Sequence, residues 1–207
     1  MWGMRRAALP ATTPLAGRLI LVRHGRTEWS ENGRHTGVTD LPLLPEGEED
    51  GRGLGRRLEE FDIAVALTSP RQRARRTAEL AGFGTAEVDE DLVEWDYGGY
   101  EGRTTPQIRE EVGYDWTVFE HGVVPGQTPG ETVEEVAARA SRVIARVLPT
   151  LAERDAVLFG HGHALRVLAA TFLRREPRFG AHLVLDAGAL CVLGERREQP
   201  VIRLWNG

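Results

Sequence analysis

The chain has 207 residues, 41% of them hydrophobic and 28% charged, a balance that fits one globular domain with a full core. Its 26 basic and 31 acidic side chains leave a net charge of −5, which argues against nucleic acid or an anionic membrane surface as a general partner. A single cysteine, Cys191, excludes an intrachain disulfide, and cysteine and histidine are too sparse for a structural zinc site.

No apolar run reaches the length of a membrane span. Residues 1–17 place Arg5 and Arg6 ahead of a short apolar stretch broken by Pro10 and Pro14. They read as a flexible leader, not a signal peptide, with Met4 as an alternative start. The expected compartment is the cytoplasm, and the expected folded domain is 18–207.

The first strand is predicted over Arg18–Val22 and runs into Arg23-His24-Gly25. Thr27 caps a helical turn over Glu28–Asn32, and residues 33–45 read as loop. A helix is predicted from Glu46 to Glu60. Gly47, Gly51, Gly53 and Gly55 weaken it and imply close packing against a neighbour or poor order. Ile63–Thr68 is the second strand. Ser69-Pro70 then opens a helix to Ala81, a cap followed by proline at the first helical position. Ala86–Val88 is a short third strand, and Leu92–Arg103, rich in glycine and aromatics, an ordered functional loop.

Thr105-Pro106 is expected to cap a short helix, and a second covers Asp115–His121. Thr132 and Glu135 form a capping box. Apolar residues at 133, 136, 137, 140, 143, 144, 147, 148 and 151 mark the helix behind it. Ala156–Phe159 is a strand ending in Gly160-His161-Gly162-His163, followed by a helix over Ala164–Arg174. Leu183–Leu185, Leu190–Leu193 and Val201–Trp205 read as closing strands, some antiparallel. Strands alternating with helices predict an α/β fold around a largely parallel sheet.

Ligands of such sheets sit beyond the carboxyl ends of the strands. Three predicted strand ends carry basic groups there: Arg23 with His24, the run Ser69–Thr77, and His161. Arg73 and Thr77 share a helix face at a spacing of four, whereas Arg71, Arg75 and Arg76 read as a solvated face. An imidazole beside a guanidinium suits attack on an anion, with the arginine fork holding phosphate oxygens. Glu94, in the loop after the third strand, reads either as a proton donor or as an ion-pair partner of Arg23 or Arg73.

Leu21-Val22-Arg23-His24-Gly25, Ser69-Pro70 with Arg73-Ala74 and Thr77, Glu94 with Tyr97-Gly98, and His161-Gly162 stand in an order that resembles the histidine phosphatase superfamily, in its phosphoglycerate-mutase-like branch. The resemblance runs from about Arg18 to Trp205. It implies a three-layer sandwich, with helices on both faces of a largely parallel sheet that has an antiparallel edge strand. It also implies that His24 becomes a phosphohistidine, that Arg23, Arg73 and His161 bind the phosphoryl oxygens, and that Glu94 serves as general acid and then base. Gly162 adds a backbone N–H to the phosphate, and Thr36, Gly37 and Tyr97 match substrate-touching positions. Ser30 stands where the family often has a phosphate-binding asparagine.

Two guanidinium groups and an imidazole supply the positive charge that phosphoryl transfer needs without a metal or cofactor. The mutases of the family resemble longer chains with basic insertions, whereas Gly99–Pro125 holds only Arg103 and Arg109. Hydrolysis is therefore expected, with a small phosphorylated metabolite as the partner and association between copies left open. Glu94–Gly102 and Gly160–Arg166 look most like the sugar-bisphosphatase branch, including sedoheptulose-1,7-bisphosphatase, and some acid phosphatases. That branch implies that His163 touches the substrate beyond the transferred group, with Arg34 or His35 reaching a second anion. The alternatives are a phosphoglycerate mutase and a phosphoprotein phosphatase.

Overall fold

Leu19, Ile20, Leu21 and Val22 are all fully buried, so their strand needs cover on both faces. They form β1 (Leu19–Arg23). The computed structural model describes residues 14–207 and sets β1 inside a six-stranded sheet of order β3-β2-β4-β1-β5-β6. The other strands are β2 (Ile63–Thr68), β3 (Glu87–Val88), β4 (Asp155–Gly160), β5 (Leu190–Arg196) and β6 (Gln199–Leu204). The pairings β1–β4, β2–β4 and β2–β3 are parallel, while β5 runs antiparallel to both β1 and β6. This is the expected α/β sandwich, with the antiparallel element a hairpin at one side.

Side-chain alternation divides the core. Leu19 and Leu21, with Ala156 and Leu158, meet α6 (Val133–Leu151) and α7 (Gly162–Phe172). Ile20 and Val22, with Val157 and Phe159, meet α2 (Pro45–Leu58) and α3 (Gln72–Leu80). Beyond the sheet edge a third cluster gathers Trp95, Tyr97, Tyr100, Trp116 and Phe119. It lies around the short helices α4 (Thr105–Val112) and α5 (Val118–His121).

The glycines of α2 are contact points. A Cβ on Gly25 would lie 2.1 Å from the Gly47 carbonyl oxygen, and one on Gly47 would lie 2.1 Å from that of Arg26. The turn after β1 can therefore sit against α2 only because both positions lack side chains. Gly51 meets Leu80 in the same way, whereas Gly53 faces nothing within 4 Å.

Some boundaries differ from expectation. The helix after β2 starts at Gln72, and its N-cap Arg71 makes no side-chain cap. The Ser69 hydroxyl accepts from the Arg71 N–H at 3.3 Å, just ahead of the helix, and meets His161 Nε2 at 2.7 Å. Thr104, not Thr105, caps α4, because its partner in the capping box is Gln107. Leu183–Leu185 is not a strand. Leu183 and Leu185 pack into the core while β5 occupies the open side of β1, so their hydrophobicity reflects packing and not pairing. Most of the expected leader, residues 1–13, lies outside the described residues. Its end is held: Gly17 N–H donates to Leu151 O at 3.0 Å, and Leu15 packs against the core. No helix among the described residues is long and apolar enough to cross a membrane.

Far from the ligand edge, Asp155 joins three strand starts. It accepts from the Arg18 amide at 2.7 Å, from Arg18 Nη2 at 2.7 Å and from the Asp62 amide at 3.0 Å. Burial pushes its carboxyl upward, but the bonds from Arg18 outweigh this and hold it below the usual aspartate value. A depressed carboxyl stabilises the fold above the unfolded value of about 3.9 and loses that effect as pH falls further. Asp155→Asn is expected to cost about 1–3 kcal/mol in urea unfolding at neutral pH. The gap from the native chain should narrow below about pH 4, and a gap independent of pH would contradict this account.

Candidate active site

The parallel register of β1, β4 and β2 delivers their carboxyl ends side by side: Arg23 is level with Gly160, and Thr68 with Phe159. Each strand then turns into a site residue. His24 N–H donates to Gly160 O at 3.0 Å, and Gly25 N–H donates to Thr77 Oγ1 at 3.1 Å. The His24 ring is buried with Nδ1 2.8 Å from Gly25 O. Since a carbonyl only accepts, Nδ1 carries the proton and Nε2 the lone pair. Burial first, then the charges of Arg73 and Arg23, hold its pKa well below the ordinary histidine value. The imidazole is neutral at physiological pH.

Arg73 is fully buried. Its Nη1 donates to Thr39 O at 2.8 Å, Nη2 to Thr36 O at 3.0 Å, and Nε to His161 Nδ1 at 3.2 Å. That last bond makes His161 Nδ1 an acceptor, so Nε2 carries the proton toward Ser69 Oγ. The His24 and His161 rings meet edge to face at 5.2 Å. Burial, then Arg73 and His24, holds His161 neutral. Arg23 Nη1 donates to Leu185 O at 2.5 Å, while its buried Nε has no hydrogen-bond partner among the described residues. Burial lowers both guanidinium groups from their usual value, and the Glu94 charge opposes this.

Glu94 faces the start of α7. Its Oε1 accepts from Trp95 N–H and Ala164 N–H, both at 2.8 Å, and its Oε2 accepts from His163 N–H at 3.1 Å. It is not ion-paired to Arg23 or Arg73 at contact distance. A wall of rings stands beside it: Tyr97 OH and His163 Nδ1 share a hydrogen bond of 2.7 Å, and His35 stacks on Tyr97 at 4.7 Å. Burial lowers the pKa of His35 to about 4, lowers that of His163 well below its ordinary value, and raises that of Tyr97 well above its own.

The structure thus brings together His24, Arg23, Arg73, His161, Gly162 and Glu94, with Tyr97, His163, Thr36 and Gly37 around them. Thr36 and Gly37 enter by their backbones. Thr36 O binds Arg73, and Gly37 N–H is held by Glu101 at 2.9 Å. Ser30 is engaged elsewhere. Its hydroxyl accepts from Thr27 N–H at 2.9 Å and donates to Thr27 O at 3.0 Å, completing the cap of α1 (Glu28–Glu31). Arg76 pairs with Glu48 and Glu79 at 2.9 Å and Arg75 is exposed, as a solvated face requires. Arg71 departs from that face, because its Nε is buried without a partner.

Sequence reasoning missed the supports. Glu101 clamps the amides of Gly37 and Thr39, whose loop cradles Arg73. Buried Arg139 donates to the carbonyls of Asp91 and Val93 and pairs with Glu131 at 2.9 Å. Glu131 in turn holds the Asp96 amide and, through its carbonyl, the Trp95 indole. Together they fix the Glu94 loop. An arginine beside the apolar stripe of α6 was the one available signal; Glu101 offered none without the fold.

Comparison with known proteins gives the family. The family model of the histidine phosphatase superfamily (branch 1) matches residues 19–207. An acid phosphatase of Mycobacterium tuberculosis (strain ATCC 25618 / H37Rv) is 38% identical over 179 residues, 86% of each chain. Sedoheptulose 1,7-bisphosphatase of Saccharomyces cerevisiae is 38% identical over 192 residues, 78% of this chain and 68% of that protein. The solved structure of a Mycobacterium tuberculosis open reading frame product superposes with a TM-score of 0.86 at 36% identity, covering 92% of this chain and 97% of that one. A mycobacterial glucosyl-3-phosphoglycerate phosphatase, solved with VO3, does so with a TM-score of 0.81 at 25% identity, covering 93% of this chain and all of that one. The chain belongs to the histidine phosphatase superfamily, branch 1, and is a phosphatase of that family.

Proposed function

We propose that the protein hydrolyses phosphomonoesters of small metabolites through a phosphohistidine on His24, with sugar bisphosphates as the substrate class. One observation carries the mechanism. His24 is a neutral imidazole whose proton is fixed on Nδ1, leaving Nε2 as a nucleophile between two buried guanidinium groups.

In the first step Nε2 bonds to phosphorus and the ester P–O bond breaks. Arg23 Nε, Arg73, His161 Nε2–H and the Gly162 N–H stabilise the three equatorial oxygens. His161 exchanges Ser69 for a phosphoryl oxygen in this step. Glu94 gives its proton to the leaving alkoxide. In the second step Glu94 takes a proton from water, the hydroxide attacks phosphorus, and the N–P bond breaks to release phosphate and restore His24. The backbone bonds that hold Glu94 keep it beside the reacting group in both steps.

The substrate side supports a metabolite. Tyr97, His163 and His35 stand as a cluster of rings beside Glu94, with Tyr97 and His163 sharing a hydrogen bond of 2.7 Å. The sequence likeness to a sugar bisphosphatase points the same way. Mutase chemistry is disfavoured because the available basic residues are spent: Arg103 pairs with Glu111, and Arg109 donates to Trp116 O at 2.9 Å. A cytoplasmic location fits phosphorylated metabolites as substrates.

His24→Ala should abolish turnover, and rapid quench of the native enzyme with labelled substrate should trap an acid-labile phosphoenzyme. Label on any other residue type would overturn the mechanism. Glu94→Gln should slow a sugar phosphate by about 10²–10⁴-fold and an aryl phosphate far less, because nitrophenolate leaves without a proton; equal losses would make Glu94 structural. His163→Ala should raise KM for a sugar bisphosphate while sparing hydrolysis of a small aryl phosphate. A common loss on both substrates would place His163 with the structural rings.

A further inference from the structure

The loop from Val184 to Ala189 touches Arg23 and His24 repeatedly. Leu185 O accepts from Arg23 Nη1 at 2.5 Å. Ala189 O accepts from the Arg23 amide at 3.1 Å, and Gly188 N–H donates to His24 O at 2.9 Å. Tying Nη1 to Leu185 fixes the plane of the guanidinium. The direction of its buried, otherwise unpartnered Nε is then set by this loop.

The loop has no ladder of its own, so outside contacts hold it. Asn206 Oδ1 accepts from Asp186 N–H at 2.7 Å, and Asn206 Nδ2 donates to Asp186 Oδ2 at 2.8 Å. Asn206 sits at φ +55°, where asparagine is better tolerated than most residues, and its own N–H donates to Cys191 Sγ at 3.3 Å. Leu190 and Gly207 exchange backbone bonds of 3.0 and 3.1 Å beside it, and the Trp205 indole binds Val184 O. Across the loop, a Cβ on Gly188 would lie 2.8 Å from Asp50 Cβ. Asp50 pairs with Arg26 at 2.9 Å, so that wall is rigid as well.

We propose that Asn206 is a positioning residue for Arg23: its amide grips Asp186 from both sides, sets the adjacent Leu185 carbonyl, and through it aims the phosphoryl-binding guanidinium. This rests on the reading of Arg23 as a phosphoryl ligand. The backbone pair at Leu190 anchors the end of the loop, and among the described residues the Asn206 side chain alone reaches Asp186 with both a donor and an acceptor.

The test compares hydrolysis of p-nitrophenyl phosphate and inhibition by orthovanadate in the native chain, Asn206→Gly, Asn206→Asp, Arg23→Ala and the two Arg23→Ala double variants. Glycine keeps the left-handed backbone and removes the grip; aspartate keeps the acceptor but sets a second carboxylate against Asp186. Each Asn206 variant should lower kcat/KM about tenfold or more and weaken vanadate inhibition by a similar factor. In the Arg23→Ala background the same change should cost less than about twofold, because the route to the phosphoryl group is already gone. Full activity of both Asn206 variants, or an equal loss with and without Arg23, overturns the proposal. If circular dichroism shows that Asn206→Gly does not fold, Asn206→Asp carries the comparison alone. Should the native chain bind vanadate without turning over, the hydrolase reading fails, and the vanadate affinities alone decide for or against Asn206.

Discussion

A fully buried guanidinium with no carboxylate in hydrogen-bond contact is the constraint around which this site is built. Arg73 gives its hydrogen bonds to backbone carbonyls of residues 36–39 and to a neutral imidazole, and Asp40 stands 4.0 Å away. Burying a cation among neutral acceptors costs several kcal/mol before its bonds are counted. It persists here because the acceptors are preset. Glu101 clamps the amides of Gly37 and Thr39, which turns their carbonyls toward Arg73. The charge of Arg73 in turn helps to keep His24 and His161 neutral. On the proposed reading, a direct carboxylate partner would cancel the field that a phosphoryl group needs, and Asp40 stands beyond hydrogen-bond contact.

The start of α7 solves a second conflict. On the proposed mechanism, Glu94 as general acid must stand close to arginines without forming a closed ion pair with them. The amides of His163 and Ala164 capture Glu94 and hold it by hydrogen bonds in place of charge pairing. Those amides lack intrahelical partners in any helix. The same turn places Gly162, where a Cβ would lie 3.3 Å from the Arg23 guanidinium carbon. One helix terminus therefore orients Glu94 and admits Arg23 beside it.

What the sequence could reveal follows the range of each interaction. Leu19–Val22 and the Thr132–Glu135 box are local patterns, and both elements appear where those patterns put them. The convergence of Arg23, Arg73 and His161 was legible because parallel strands share an edge. Ser69 was legible only in part: its hydroxyl accepts from the neighbouring Arg71 N–H, but it also binds His161, 92 residues on. Ser30 fails in the opposite way, since a local cap claims a side chain that the family pattern assigns to phosphate. Leu183–Leu185 shows hydrophobicity without pairing, a distinction that only the neighbours of β1 settle. Glu101, Arg139 and Asn206 act through backbone groups of distant loops, and no residue type announces that.

The supports also explain why stability and function are coupled at this edge. A buried N–H without a partner costs about 1–3 kcal/mol, and Arg23 Nε is such a group. Leu185 O holds one arm of that guanidinium, and Gly188 N–H holds the His24 carbonyl. An anion that accepts from Nε removes the cost, so binding energy flows into the fold as well as into the complex. Asp50, the β5–β6 hairpin and Asn206 hold the loop over residues 184–189 from three sides. On the proposed reading, stability elsewhere in the molecule thus holds the Arg23 donor in place ahead of substrate.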